Sequence, residues 1–145
     1  MIELMGEYNH TIDSKGRLSI PSKFRSVIGE EFVISKGLDG CLFAYTNEAW
    51  EQFEQQLSSL PLLDKNARQM TRFFLAGAAN VELDPHGRIL IPNNLREYAG
   101  LDKDVTIVGT GKKFEIWNTE KWLENNQDLD MDQVSEQLLG KVTLV

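Results

Sequence analysis

A mainly β fold with helices packed outside it, built as one barrel from two halves related by a pseudo-two-fold axis, is predicted by three features of this 145-residue chain. A 24-residue segment occurs twice, short runs in each copy alternate polar and apolar residues, and helical periodicity is confined to the stretches between and after the copies. Two halves with about four short strands each would leave exposed sheet edges if they folded apart. Interlocking them into a closed barrel is the expected way to remove those edges.

Residues 6–29 align without a gap on residues 77–100, at an offset of 71. Nine of the 24 positions are identical, among them Asp13/Asp84, Gly16/Gly87, Arg17/Arg88, Pro21/Pro92, Arg25/Arg96 and Gly29/Gly100. Each half reads as strand, tight turn, strand, short helix, strand, turn, strand and then a longer helix. Arg17-Leu18-Ser19-Ile20 alternates as a half-buried strand should. Pro21 and Pro92 end those strands and suit the first turn of a helix, which Gly29 and Gly100 stop after about two turns. Strand-like runs follow from Phe32 to Ser35 and Cys41 to Tyr45, with counterparts from Val105 to Val108 and Phe114 to Trp117.

After Thr46 or Asn47 as a cap, Trp50, Phe53, Leu57 and Leu60 recur at helical spacing until Pro61 breaks the pattern. A second helix is expected from Asp64 as cap through Ala67, Met70 and Phe74 toward Gly77, making an α-hairpin with the first. In the tail, Asp130 is a candidate cap for a helix with Met131, Val134 and Leu138 on one face. The expected organisation is a first repeat over 5–47, a helical linker over 48–76, a second repeat over 77–120 and an acidic helical tail over 121–145.

Composition narrows the class of protein. Hydrophobic residues at 41% and charged residues at 26% fit a folded chain rather than a disordered one. No apolar run approaches the roughly 20 residues needed to span a bilayer, and no basic region followed by an apolar stretch opens the chain, so a soluble, cytoplasmic protein without a membrane partner is expected. Cys41 is the sole cysteine, and its apolar neighbours fit a buried, inert thiol; His10 and His86 are the sole histidines, so no metal or other cofactor is expected. The net charge of −7 is unequally distributed. Residues 6–29 carry four cations against two acids, whereas residues 114–145 carry seven acids against two lysines. An acidic rear surface with a basic turn region is compatible with nucleic acid on one face only.

That turn region carries the chemistry. Asp13-Ser14-Lys15-Gly16-Arg17 returns as Asp84-Pro85-His86-Gly87-Arg88. An Asp opening a turn accepts backbone N–H bonds two residues on, and a late Gly supplies positive φ. This geometry explains Asp13, Gly16, Asp84 and Gly87 as turn-forming residues, but it does not require Lys15, Arg17, His86 or Arg88. Each Arg can pair with the Asp four residues earlier and pin the turn, and an Arg so oriented is also ready to present its planar donors to a phosphate or to guanine. Lys23, Arg25 and Arg96, on the short helices just downstream, would extend the patch. A solvated helix face also explains Lys23, and packing of aliphatic stems on the barrel also explains Arg25 and Arg96.

The doubled Asp-x-x-x-Arg turn followed by (Leu/Ile)-x-Ile-Pro, together with the Gly-Leu-Asp-Gly-Cys-Leu-Phe run and its Trp-bearing helix, resembles the MraZ family over almost the whole chain. The resemblance implies a tandem of two SpoVT/AbrB-type swapped-hairpin units forming one barrel. It also implies a nucleoid-associated transcriptional regulator that binds direct repeats in the double-stranded promoter DNA of the bacterial cell-division and cell-wall gene cluster. Rings of about eight to twelve identical subunits are part of what it implies. By motif, Arg17 and Arg88 are the turn arginines, with Lys15 beside the first; His86 and Pro85 depart from the first copy, which favours the first turn as the DNA contact. An oligomeric protein-interaction or antitoxin-like module is the alternative, since fold alone does not decide function. No ordered nucleophile, base and orienter is present, so no catalytic residues are assigned and the chain is not expected to be an enzyme. Gly109-Thr110-Gly111-Lys112 lacks the upstream Gly and the following Ser or Thr of a phosphate-binding loop, and reads as a turn between strands.

Overall fold

The computed structural model describes residues 3–142. Its mixed, mainly antiparallel β architecture comprises, among the described residues, eight strands and six α-helices. The first half contributes β1 (Leu4–Thr11), β2 (Arg17–Ser19), α1 (Ser22–Ile28), β3 (Glu31–Lys36) and β4 (Leu42–Tyr45). The hairpin α2 (Asn47–Ser58) and α3 (Lys65–Ala76) follows. The second half repeats the order with β5 (Ala78–Glu82), β6 (Arg88–Leu90), α4 (Asn93–Ala99), β7 (Asp104–Gly111) and β8 (Lys113–Asn118), before α5 (Thr119–Asn126) and α6 (Met131–Gln137).

The expected caps hold the helices. The Thr46 hydroxyl accepts from the Ala49 N–H at 3.0 Å, and the Asp64 carboxylate accepts from Asn66 at 2.8 Å. Asp130 caps α6 through the N–H groups of Asp132 and Gln133. The short helices end at Gly29 and Gly100, as the sequence predicts. The face expected of the tail helix is not buried, for Met131, Val134 and Leu138 all remain exposed. The residues after 142 in the expected tail lie outside the described range.

Six strands form one sheet in the order β1-β7-β8-β4-β3-β5, and β2 pairs with β6 in a separate two-stranded ribbon. The first strand of each half pairs with the third strand of the other, so the halves are interlocked. The registers are related by the repeat: Thr11 opposes Asp104 as Glu82 opposes Glu31, and His10 opposes Val105 as Val81 opposes Phe32. In the ribbon Leu18 opposes Ile89, its own counterpart, so the pseudo-two-fold axis passes between them. Phe43 opposite Glu115 marks its other crossing.

The closed barrel expected from the sequence is not formed. Strands β1 and β5 are the sheet's two edges, and the short ribbon joins them only through the turns. Strands β2 and β6 are three residues each and run into Ile20-Pro21 and Ile91-Pro92, where proline removes the next ladder donor. The ribbon also spends its pairing capacity on itself. The Gly109–Lys112 segment makes the reversal between β7 and β8 as expected: pairing of the two strands ends at Gly109 opposite Phe114, and Gly111 turns with φ of 101° while still pairing with Leu4 of β1.

The main core lies between sheet, ribbon and short helices. Phe24 of α1 stacks on Phe114 of β8 at 5.2 Å and meets Tyr8 of β1 edge-on at 5.2 Å. Leu18, Ile89, Ile91 and Leu95 close it from the ribbon side. A second, aromatic cluster seats the α-hairpin on the sheet: Phe53 of α2 stacks on Tyr45 of β4 at 5.8 Å and meets Phe74 of α3 at 5.0 Å. The long helices therefore attach away from the ribbon face, with Leu57 buried in this cluster and Leu60 and Met70 left exposed.

Candidate functional site

Both turns are built the same way from their own residues. In the first, one oxygen of Asp13 accepts the N–H groups of Lys15 at 3.0 Å and Arg17 at 2.8 Å, and the Asp13 carbonyl accepts from Gly16 at 3.0 Å. The other oxygen takes the Arg17 Nε–H at 2.6 Å. In the second, Asp84 accepts His86 at 2.8 Å, Arg88 N–H at 2.9 Å and Arg88 Nε–H at 2.9 Å. Gly16 and Gly87 take φ of 91° and 76°, a region that side chains with a Cβ avoid. The pairing of each Arg with its Asp is thus present, and these two are the ion pairs among the described residues.

The backbone N–H of Arg17 is the main influence that holds the Asp13 carboxyl below its usual value, helped by the Arg17 side chain and the Lys15 N–H against some desolvation. Arg88 and His86 act on Asp84 in the same way. Both carboxylates are ionised at neutral pH, which keeps each guanidinium oriented through Nε. Its two terminal amino groups have no hydrogen-bond partner among the described residues.

Ribbon register then decides what the two turns do together. Arg17 opposes Leu90 and Ser19 opposes Arg88. Leu18 and Ile89 point into the core, so Arg17, Ser19, Arg88 and Leu90 share the outer face, with the two arginines diagonal to each other. Ser19 and Leu90 were not among the expected site residues, and the two-residue alternation of a strand is the signal that places them on this face. Lys15 and His86 are exposed at the turn tips.

The remaining cations separate into two kinds. Lys23 is exposed on α1, its carbonyl accepting the Ser26 hydroxyl at 3.1 Å. Arg25 and Arg96 are half-buried, and each lies against the turn of the opposite half. A Cβ on Gly16 would sit 2.7 Å from Cζ of Arg96, and one on Gly87 would overlap Nη1 of Arg25 and lie 2.7 Å from its Cζ. The site thus holds Lys15, Arg17, Arg88, Arg25 and Arg96 against two carboxylates, a cationic region on an acidic chain. Such an arrangement can bind a phosphate backbone or donate to guanine O6 and N7.

Elsewhere the structure offers little chemistry. Cys41 is fully buried, burial pushes its thiol up, and its Sγ donates to the Leu38 carbonyl at 3.2 Å. Among the described residues, no group of three or more His, Cys, Asp or Glu is placed to hold a metal ion, and no helix is long and apolar enough to cross a membrane.

A family model described as "MraZ protein, putative antitoxin-like" matches the chain twice, over residues 4–73 and 74–141. The chain is 56% identical over 134 residues to a protein of Lachnoclostridium phytofermentans, covering 92% of this chain and 94% of that one. It is 54% identical over 137 residues to one of Thermoanaerobacter sp. (93% and 96% covered), and 55% identical over 130 residues to one of Acetivibrio thermocellus (90% and 91% covered). Each of the three is named transcriptional regulator MraZ.

Proposed function

The chain belongs to the MraZ family, and we propose that it is a sequence-specific, DNA-binding transcriptional regulator that reads direct repeats in the promoter of the cell-division and cell-wall gene cluster. The observation that carries this reading is the pair of turn arginines, Arg17 and Arg88, set diagonally on one outer face and each oriented by its own Asp. A two-stranded ribbon is one of the shapes the major groove of B-DNA admits. Lys15 adds a phosphate contact at the first turn, His86 a weaker one at the second, and Lys23 lies further along the same half. Action in the cytoplasm, at the nucleoid, follows from a promoter partner.

One chain offers too few cations to hold DNA at physiological salt, because the electrostatic part of the affinity grows with the number of phosphates neutralised and weakens as salt rises. A ring of about eight to twelve copies facing successive repeats makes each later contact intramolecular, and weak contacts then sum to useful affinity. A single repeat therefore binds far more weakly than an array, and moving one repeat by about 5 base pairs, half a helical turn, weakens the array.

The deciding experiment titrates promoter DNA with wild type and Arg17→Ala by fluorescence anisotropy, with sedimentation to verify that both are assembled. Loss of specific binding in a folded, assembled variant is the expected outcome. Unchanged affinity would overturn the reading in favour of an antitoxin-like protein-interaction module.

A further inference from the structure

We propose that Arg96 and Arg25 are positioning residues exchanged between the halves: Arg96 of α4 sets the first turn and Arg25 of α1 sets the second, each acting on DNA through the other half's arginine. The proposal rests on the DNA-binding reading for its affinity consequences alone; the packing itself is a property of the free protein.

Four observations carry it. The Arg96 guanidinium lies flat against Gly16, with Cζ, Nε and Nη1 all within 2.8 Å of where a Cβ would be. Arg25 occupies the equivalent place against Gly87. The same cross-half contact is tied by backbone: the Ile91 N–H donates to the Gly16 carbonyl at 2.9 Å, and the Ile20 N–H to the Gly87 carbonyl at 3.0 Å. Finally, neither Arg25 nor Arg96 forms an ion pair among the described residues, and the Nε–H of Arg96 is buried without an acceptor.

A surface arginine kept for direct phosphate contact would extend into solvent and leave its stem, not its head, on the protein. Here the planar heads fill the space that Gly16 and Gly87 leave empty. Each turn is thus clamped between its own Asp on one side and an arginine of the other half beneath it. The clamp fixes where Arg17 or Arg88 stands relative to the ribbon, and it leaves positive charge under the turn without a counter-charge.

Two measurements test this on the full chain. Amide hydrogen exchange of free protein reports the turns without DNA: Arg96→Ala is expected to speed exchange about tenfold or more at Gly16 and Arg17 while leaving Gly87 and Arg88 unchanged, and Arg25→Ala to do the reverse. Anisotropy with the promoter duplex then reports coupling. Arg96→Ala weakens binding about tenfold alone but less than about twofold in an Arg17→Lys background, which keeps the charge and a measurable affinity, and remains additive with Arg88→Ala. Arg96→Lys, which keeps charge and most of the stem, serves if the alanine variant fails to fold; it speeds exchange at Gly16 and Arg17 if the planar head matters, and exchanges like wild type if the residue only supplies charge. Unchanged exchange at the first turn, loss of protection in the helix's own half instead, or additive losses that lysine rescues would each overturn the proposal. Failure of wild type to bind the duplex would count against the DNA-binding reading and leave the exchange result to decide the clamp.

Discussion

The two turns share a backbone and differ at their tips. Each closes on an Asp whose carboxylate accepts three N–H bonds from the four residues after it, passes through a positive-φ glycine and ends in an Arg on the outer face of the ribbon. Only the first presents Lys15, a fixed charge on a flexible stem, where the second has His86 after Pro85. Across the ribbon Arg17 faces exposed Leu90, while Arg88 faces Ser19. The duplicated fold supplies two equivalent frames, and substitutions at positions that the frame does not constrain make them chemically unequal. Geometry is held by the Asp and Gly, so the tips are free to diverge.

Under the proposed DNA-binding reading, the inequality is expected to be sharpest in affinity. Replacing Arg17 by Ala is expected to cost about 1–3 kcal/mol per engaged subunit, the range for a good bidentate contact. Arg88→Ala is expected to cost less, because no lysine accompanies it. Equal losses in anisotropy titrations would show that the two frames are used alike.

Backbone variants probe the shared part instead. Gly16→Ala and Gly87→Ala each force a Cβ into positive φ and against an arginine head, and are expected to lower unfolding free energy by about 1–2 kcal/mol in urea titrations. Gly87→Ala should be the worse of the two, since its Cβ would overlap Arg25 Nη1. The reverse order would mean that Arg25 moves aside more easily than Arg96.

A smaller effect is expected from His86→Lys, which makes the second tip like the first. It should raise affinity a few-fold at low salt and steepen the salt dependence by about one phosphate contact, a slope change of roughly 0.9 per subunit engaged. No change would place the second tip away from the backbone of the DNA.

The smallest effect at neutral pH is that of proton binding to the turns. Both Asp carboxyls are held below their ordinary value of 3.8, so their stabilisation is fully present above it and is lost as pH falls through the depressed folded values. The contribution of Asp13 and Asp84 to stability is therefore expected to be full and constant between about pH 8 and pH 5, and to be lost on further acidification, a loss that the Asp13→Asn/Asp84→Asn double variant lacks. Urea midpoints against pH for the two proteins measure it.

What was legible in the sequence was whatever short-range chemistry writes. Thr46, Asp64 and Asp130 cap the helices expected of them because a side-chain oxygen two or three residues from an N–H needs no tertiary partner. The Asp–Gly–Arg turns were legible for the same reason. What that face of α6 packs against was not legible, because helical spacing of Met131, Val134 and Leu138 states a period and not a partner, and all three remain exposed. The sequence leaves Arg25 and Arg96 readable as contact or as packing, and only the fold brings Arg25 against Gly87 and Arg96 against Gly16, each far away in sequence.

By itself, then, the sequence determined the repeat, the order of elements, the two turns and the family to which they belong. The tertiary structure alone decided that first strands pair with the other half's third strands, that the sheet stays open beside a short ribbon, and that Arg17 and Arg88 share an outer face. Local hydrogen bonds and periodicity are properties of neighbouring residues, whereas strand pairing and register are set by which distant apolar faces can be buried together.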